Sequence, residues 1–193
     1  MKRSVETQLL DWKNSSPRKP LIVRGARQVG KTYTIRQFSR EHFARLAAID
    51  LERVIALRAI FDGSLAADGI VRQIEAFTGV PLSGGDTLLF IDEIQAAPRA
   101  ITALRYLYEE RPDIPVVAAG SALEFALGDI SFPVGRVTFA WMRPMTFHEF
   151  LLASGRDLLA RSLPMLDAPY AGSTAVHEKI LDELKKYLLV GGM

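Results

Sequence analysis

Gly25-Ala26-Arg27-Gln28-Val29-Gly30-Lys31-Thr32 follows the apolar run Leu21-Ile22-Val23 and precedes a segment with helical spacing. The eight residues fit G-x-x-x-x-G-K-S/T, the phosphate-binding loop. Such a loop wraps a polyphosphate with backbone N–H groups, and glycines at its ends allow a tight path and close approach. The motif assigns Gly25 through Tyr33 to nucleotide binding, with Lys31 reaching the β- and γ-phosphates and the Thr32 hydroxyl holding Mg2+. A helix opening near Lys31 aims its N-terminal amides and the positive end of its dipole at the same phosphates. The strand before and the helix after separate this match from a chance glycine turn. Arg27 and Gln28 at the apex reach a phosphate, reach a partner, or stay solvated.

Around this loop the composition is that of a globular chain. Its 193 residues are 49% hydrophobic, enough to bury a substantial core. No apolar run approaches the length of a membrane span. Lys+Arg 24 against Asp+Glu 22 is too even a balance, and too scattered, to mark a nucleic-acid surface. Without cysteine there is neither a disulfide framework nor a thiolate metal site. His42, His148 and His177 form no ligand-like group. The start, Met1-Lys2-Arg3-Ser4, lacks the apolar stretch of a signal peptide, so a cytoplasmic location is expected.

In chain order, Val5, Leu9, Leu10 and Trp12 predict a short amphipathic helix, which either covers the base of a bound nucleotide or packs on a sheet edge. Pro20–Arg24 is a buried parallel strand; a helix runs to about His42, with Ile35 and Phe38 inward. Leu46–Ile49 is a strand ending in Asp50-Leu51-Glu52. Val54–Phe61 and Leu65–Phe77 read as helices, the second with Ile70, Ile74 and Phe77 on one face. Thr87–Ile91 is a buried strand, and a helix starts near Pro98 and stops at Arg111-Pro112-Asp113. Ile114–Ala119 and Val134–Trp141 are further strands, with Phe139 and Trp141 expected to pack. Thr146-Phe147-His148-Glu149 has the form of a capping box opening a helix through Leu152. After the breaks at Pro164-Met165 and Asp167-Ala168-Pro169, Val176–Leu189 is helical again. Strands alternating with helices, without internal repeats, predict a mostly parallel α/β sheet.

Leu88-Leu89-Phe90-Ile91-Asp92-Glu93 supplies the second half of the expected site. Four apolar residues bury a strand, and two carboxylates emerge at its C-terminal end, where open α/β sheets bind ligands. Asp92 is placed to hold Mg2+ beside Thr32, and Glu93 to polarise a water for in-line attack on the γ-phosphate.

These motifs, with Ile94-Gln95 and Pro98, Gly120-Ser121-Ala122-Leu123, Gly135-Arg136, Pro144-Met145-Thr146-Phe147, Glu149-Phe150 and Leu189-Val190-Gly191-Gly192, resemble a prokaryotic family of AAA-type ATPases. Members carry the ATPase domain followed by a C-terminal domain of unknown function. The resemblance implies the additional-strand fold of P-loop NTPases, a three-layer sandwich of AAA/RecA-like type, with Ile114–Ala119 as the inserted strand. It implies that Ser121 is either a polar sensor near the γ-phosphate or only a cap. Arg136 would meet the γ-phosphate of its own chain or of a neighbour in a homo-oligomer, or else form a surface ion pair. It also implies that a further domain follows Gly191-Gly192-Met193.

The domain reading is a helix and linker over 1–19, an ATPase core over 20–152, and a helical extension over 153–193. Catalysis falls to Glu93, Arg136 and Ser121, metal binding to Thr32 and Asp92, with ATP and Mg2+ as cofactors. The leading function is ATP hydrolysis driving a conformational change in a macromolecular partner or attached domain. A slow nucleotide-dependent switch and an ATP-driven nucleic-acid factor are the alternatives, although no basic-aromatic groove in the sequence supports the last.

Overall fold

The computed structural model describes residues 3–121, 133, 135–163 and 174–192. The chain divides into two compact units, one of Val5–Met142 and one of Met1–Ser4 with Arg143–Met193. The N-terminal helix lies within the larger unit, Val5–Met142.

In the larger unit the strands β1 (Leu21–Arg24), β2 (Arg45–Asp50), β3 (Thr87–Asp92), β4 (Val116–Gly120) and β5 (Thr138–Trp141) form one sheet in the order β2-β3-β4-β1-β5. Every pairing is parallel, with Leu21 opposite Val117 and Thr138, and Ile91 opposite Ala118. β4 thus lies between the phosphate-loop strand and the Asp-Glu strand, the additional-strand arrangement that the resemblance implies. Period-two alternation divides the core between the two faces. Leu89, Ile91, Val116 and Ala118 pack with α3 (Ala67–Thr78) and α4 (Pro98–Glu110). Leu88, Phe90, Val117 and Ala119 pack with α1 (Val5–Asn14) and α2 (Lys31–His42). Helices on both faces make the three-layer sandwich.

Some expectations shift in detail. The segment Ile55–Phe61 is a 3-10 helix, not an α-helix; before it, the Asp50 carboxylate accepts the amides of Glu52 and Arg53. Phe77 is 54% exposed, because α3 reaches its last turn there, after Ile70, Val71 and Ile74 have filled its inner face. Phe139 and Trp141 lie on the edge strand β5 and stay partly exposed, with the Arg24 guanidinium 3.8 Å from the Phe139 ring centroid. The segment Ala122-Leu123, Val134 and the breaks at Pro164-Met165 and Asp167-Ala168-Pro169 lie outside the described residues.

The smaller unit contains α5 (Phe147–Ala153), α6 (Asp157–Ser162) and α7 (Thr174–Val190). α6 falls inside the expected helical extension over 153–193, where the sequence reading gives no separate helix. Thr146 caps α5 through the Glu149 amide at 3.2 Å, and the Glu149 carboxylate answers on the Thr146 amide at 2.8 Å. Glu149 is buried, which by itself pushes its pKa up. The Ser4 and Thr146 hydrogen bonds and the Arg3 charge outweigh that burial and hold the carboxyl below its ordinary value. Gly192 closes on the other end of the unit: its carbonyl accepts the Met145 amide, and a Cβ on it would fall 2.5 Å from the Met145 oxygen.

Candidate nucleotide site

The phosphate loop leaves the C-terminal end of β1 at Gly25. A Cβ on Gly25 would sit 2.1 Å from the backbone oxygen of Met142 and 3.3 Å from Val29 Cγ2, so the position requires a residue without a side chain. Val29 is buried and ties the loop to the α2 face of the core. Two residues turn the backbone left-handed, Gln28 at φ 65° and Gly30 at φ 91°. For Gln28 that conformation is uncommon, and strained backbone of this kind gathers at ligand clamps. Gly30 stands at the N-cap of α2 and offers no side-chain cap, which leaves the first-turn amides available to an anion.

Lys31 is buried, and its ammonium donates to the loop carbonyls of Gly25 at 3.0 Å and Ala26 at 2.8 Å. Burial lowers its pKa, while the Glu93 and Asp92 carboxylates pull it back up. Lys31 is thus held inside the loop at the place where the motif expects phosphate, and a nucleotide would exchange the two carbonyls for phosphate oxygens. Thr32 donates its hydroxyl to Asp92 Oδ2 at 2.7 Å, joining the two motifs across 60 residues of sequence. Asp92 is only 4% exposed, and its second oxygen accepts the Glu93 amide at 3.1 Å. Burial pushes its pKa up against the lowering effect of the Thr32 bond. A buried carboxylate beside a hydroxyl fits a small divalent cation, which takes hard oxygen ligands and keeps several of its waters.

At Glu93 the backbone is left-handed, φ 48° and ψ 49°, and it enters the short 3-10 turn Ile94–Ala96. That turn directs the Glu93 side chain toward the end of β4. There Ser121, 2% exposed, donates to Glu93 Oε2 at 3.3 Å. Gln95 Nε2 donates to the same oxygen at 2.5 Å and to Ser121 Oγ at 3.4 Å. The sequence reading gave Gln95 no role: no periodicity signals a contact two residues apart, which depends on the positive φ of Glu93.

Other predicted residues stand further off. Tyr33 is 58% exposed on the first turn of α2. Arg27 is exposed and 3.7 Å from Glu52, two residues beyond the end of β2. Arg136 is not gathered with the loop. It precedes β5, whose Thr138 pairs with Leu21 at the start of β1, and so lies at the N-terminal end of the strands, opposite the end where Gly25 begins the loop. The four residues of β1 alone separate those ends by about 13 Å. Its guanidinium donates to Glu109 Oε1 at 2.7 Å, an exposed pair that lowers the Glu109 pKa.

A parallel sheet with an inserted strand, a glycine-rich loop entering a helix, and a threonine–aspartate pair beneath that loop define a P-loop nucleotide-binding fold. The chain belongs to the AAA domain family, whose model matches residues 17–151. No curated protein matches it. Among solved structures it is similar to a chain in "Structure of Drosophila ORC bound to DNA", at 12% identity and a TM-score of 0.55. The match covers 96% of this chain and 56% of that one, so the likeness is one of fold.

Proposed function

We propose that the protein is a Mg2+-dependent ATPase that couples ATP hydrolysis to conformational change in a partner or attached domain. The observation that carries this reading is the 2.7 Å bond between Thr32 and Asp92, with Lys31 held in the loop and Glu93 at the strand end. Lys31 and the α2 amides would bind the phosphates, and Thr32 and Asp92 would hold Mg2+. The ion, when bound, neutralises phosphate charge. Glu93 accepts the proton of an attacking water, and Ser121 fixes the carboxylate that does so.

Arg136 is at the opposite end of the strands from its own loop, which supports action on a neighbouring chain's nucleotide in a homo-oligomer. For that role it would leave Glu109. The DNA in the similar structure belongs to that protein, and the scattered basic residues here give it no counterpart. A slow nucleotide switch is the second reading: Lys31 must give up the Gly25 and Ala26 carbonyls before it meets a nucleotide, whereas Thr32 can keep its bond to Asp92 while its oxygen faces the metal. Phosphate release from ATP by the wild-type protein, with Mg2+ and with a chelator, tests the proposal. Turnover that requires Mg2+ supports the ATPase. Tight ATP binding with turnover slower than nucleotide release supports the switch, and no ATP binding at all removes both.

A further inference from the structure

We propose that Gln95 is a positioning residue that holds the Glu93 carboxylate in place for proton transfer, acting together with Ser121. This rests on the hydrolytic reading of the site and adds to it a residue outside both nucleotide motifs. The three side chains form a closed triangle. Gln95 Nε2 donates to Glu93 Oε2 at 2.5 Å and to Ser121 Oγ at 3.4 Å, and Ser121 returns its one hydroxyl proton to Glu93 Oε2 at 3.3 Å. Chemistry fixes the orientation of the amide, because turned over it would set its carbonyl oxygen against a carboxylate.

Both donated bonds end on Oε2, which fixes the rotamer and leaves Oε1 as the oxygen that takes the proton. A base gains from this because a small misplacement of a catalytic group costs far more in rate than in binding. The carbonyl of Gln95 argues against a packing role. It is buried and accepts no hydrogen bond among the described residues, an unfavourable state that an apolar side chain of the same size would avoid. What retains the amide is its donor side, and that side faces Glu93 and Ser121. Among the described residues, Lys31 from α2 and Asp92 from β3 are charged groups that act on Glu93, and both are committed to the phosphate and metal half of the site. Gln95 and Ser121 are neutral donors that hold Glu93 without adding a charge next to the nucleotide.

The test is a double-mutant cycle on ATP turnover with Gln95→Met, which keeps length and volume but cannot donate, Glu93→Gln, and the two combined. Thermal melting confirms that each variant is folded, and Gln95→Ala replaces Gln95→Met if the latter does not fold. Q95M should lower kcat about tenfold or more with KM and MgATP affinity within about twofold of wild type, the split expected of a group acting only in the transition state. Added to E93Q, it should produce almost no further loss, because it acts through the carboxylate that E93Q has removed. Full kcat in Q95M, equal losses in kcat and affinity, or losses that multiply in the double variant would each overturn the assignment. Wild-type protein that binds MgATP without turning it over overturns the hydrolytic reading instead, and this inference with it.

Discussion

Gly25→Ala asks whether the phosphate loop is built against the end of β5. The added methyl would meet the Met142 carbonyl oxygen at 2.1 Å, more than 1 Å inside van der Waals contact. Neither atom belongs to a flexible side chain, so relief requires separating the backbone of the loop from that of Met142. The Met142 amide donates to Arg24 O at 2.7 Å and anchors that approach, and this bond would be stretched or broken. Overpacking of this kind costs about 1–3 kcal/mol and a lost hydrogen bond about 1 kcal/mol, together roughly 2–4 kcal/mol. For a chain of 193 residues that corresponds to a fall in Tm of about 5–15 °C. Because Lys31 bonds the carbonyls of Gly25 and Ala26, the displaced loop should also lose nucleotide affinity. Differential scanning calorimetry and an ATP titration measure the two effects. A variant melting within 2 °C of wild type with unchanged ATP affinity would refute the crowding argument.

Burial holds the Asp92 pKa above the ordinary carboxylate value, so between the two values the folded protein carries more protons than the unfolded chain. Stability is therefore lost as pH rises through that window, and at neutral pH the ionised group destabilises the nucleotide-free fold. Asp92→Asn keeps an oxygen for the Glu93 amide, its NH2 can donate to the Thr32 hydroxyl, and the variant should melt at or above the wild-type temperature, while losing more affinity for Mg2+-nucleotide than for nucleotide alone. A lower Tm with equal losses in both titrations would make Asp92 structural. Arg136→Ala removes an exposed ion pair and should leave Tm nearly unchanged, since such pairs contribute little. It should lower turnover more than ATP binding, and mixing it with Lys31→Ala protein should restore part of the activity. No rescue in an assembly shown to exchange subunits would exclude action in trans.

The sheet was largely legible because its central strands are apolar on both faces. Leu88-Leu89-Phe90-Ile91 can be buried only between two layers, and the motifs at the ends of β1 and β3 then orient the sheet. Position was harder to read than identity. Arg136 carries the expected charge, yet the parallel register of β5 places it at the opposite end of the strands from its own loop, and register is a long-range property. Gln95 was hidden for a local reason, since its contact with Glu93 requires a left-handed backbone at a non-glycine residue. α6 is six residues long with one buried side chain, too short to show a periodic stripe.

The central claim is that Glu93 takes the proton of the attacking water while the rest of the site binds Mg2+ and ATP. Single-turnover phosphate release by Glu93→Gln, alongside MgATP affinity measured on the same preparation, tests it most directly. The amide keeps the shape of the side chain but is a poor proton acceptor, so hydrolysis should slow by roughly a hundredfold or more with affinity near wild type. Hydrolysis at the wild-type rate would contradict the account, and loss of MgATP binding would move Glu93 from catalysis to nucleotide binding.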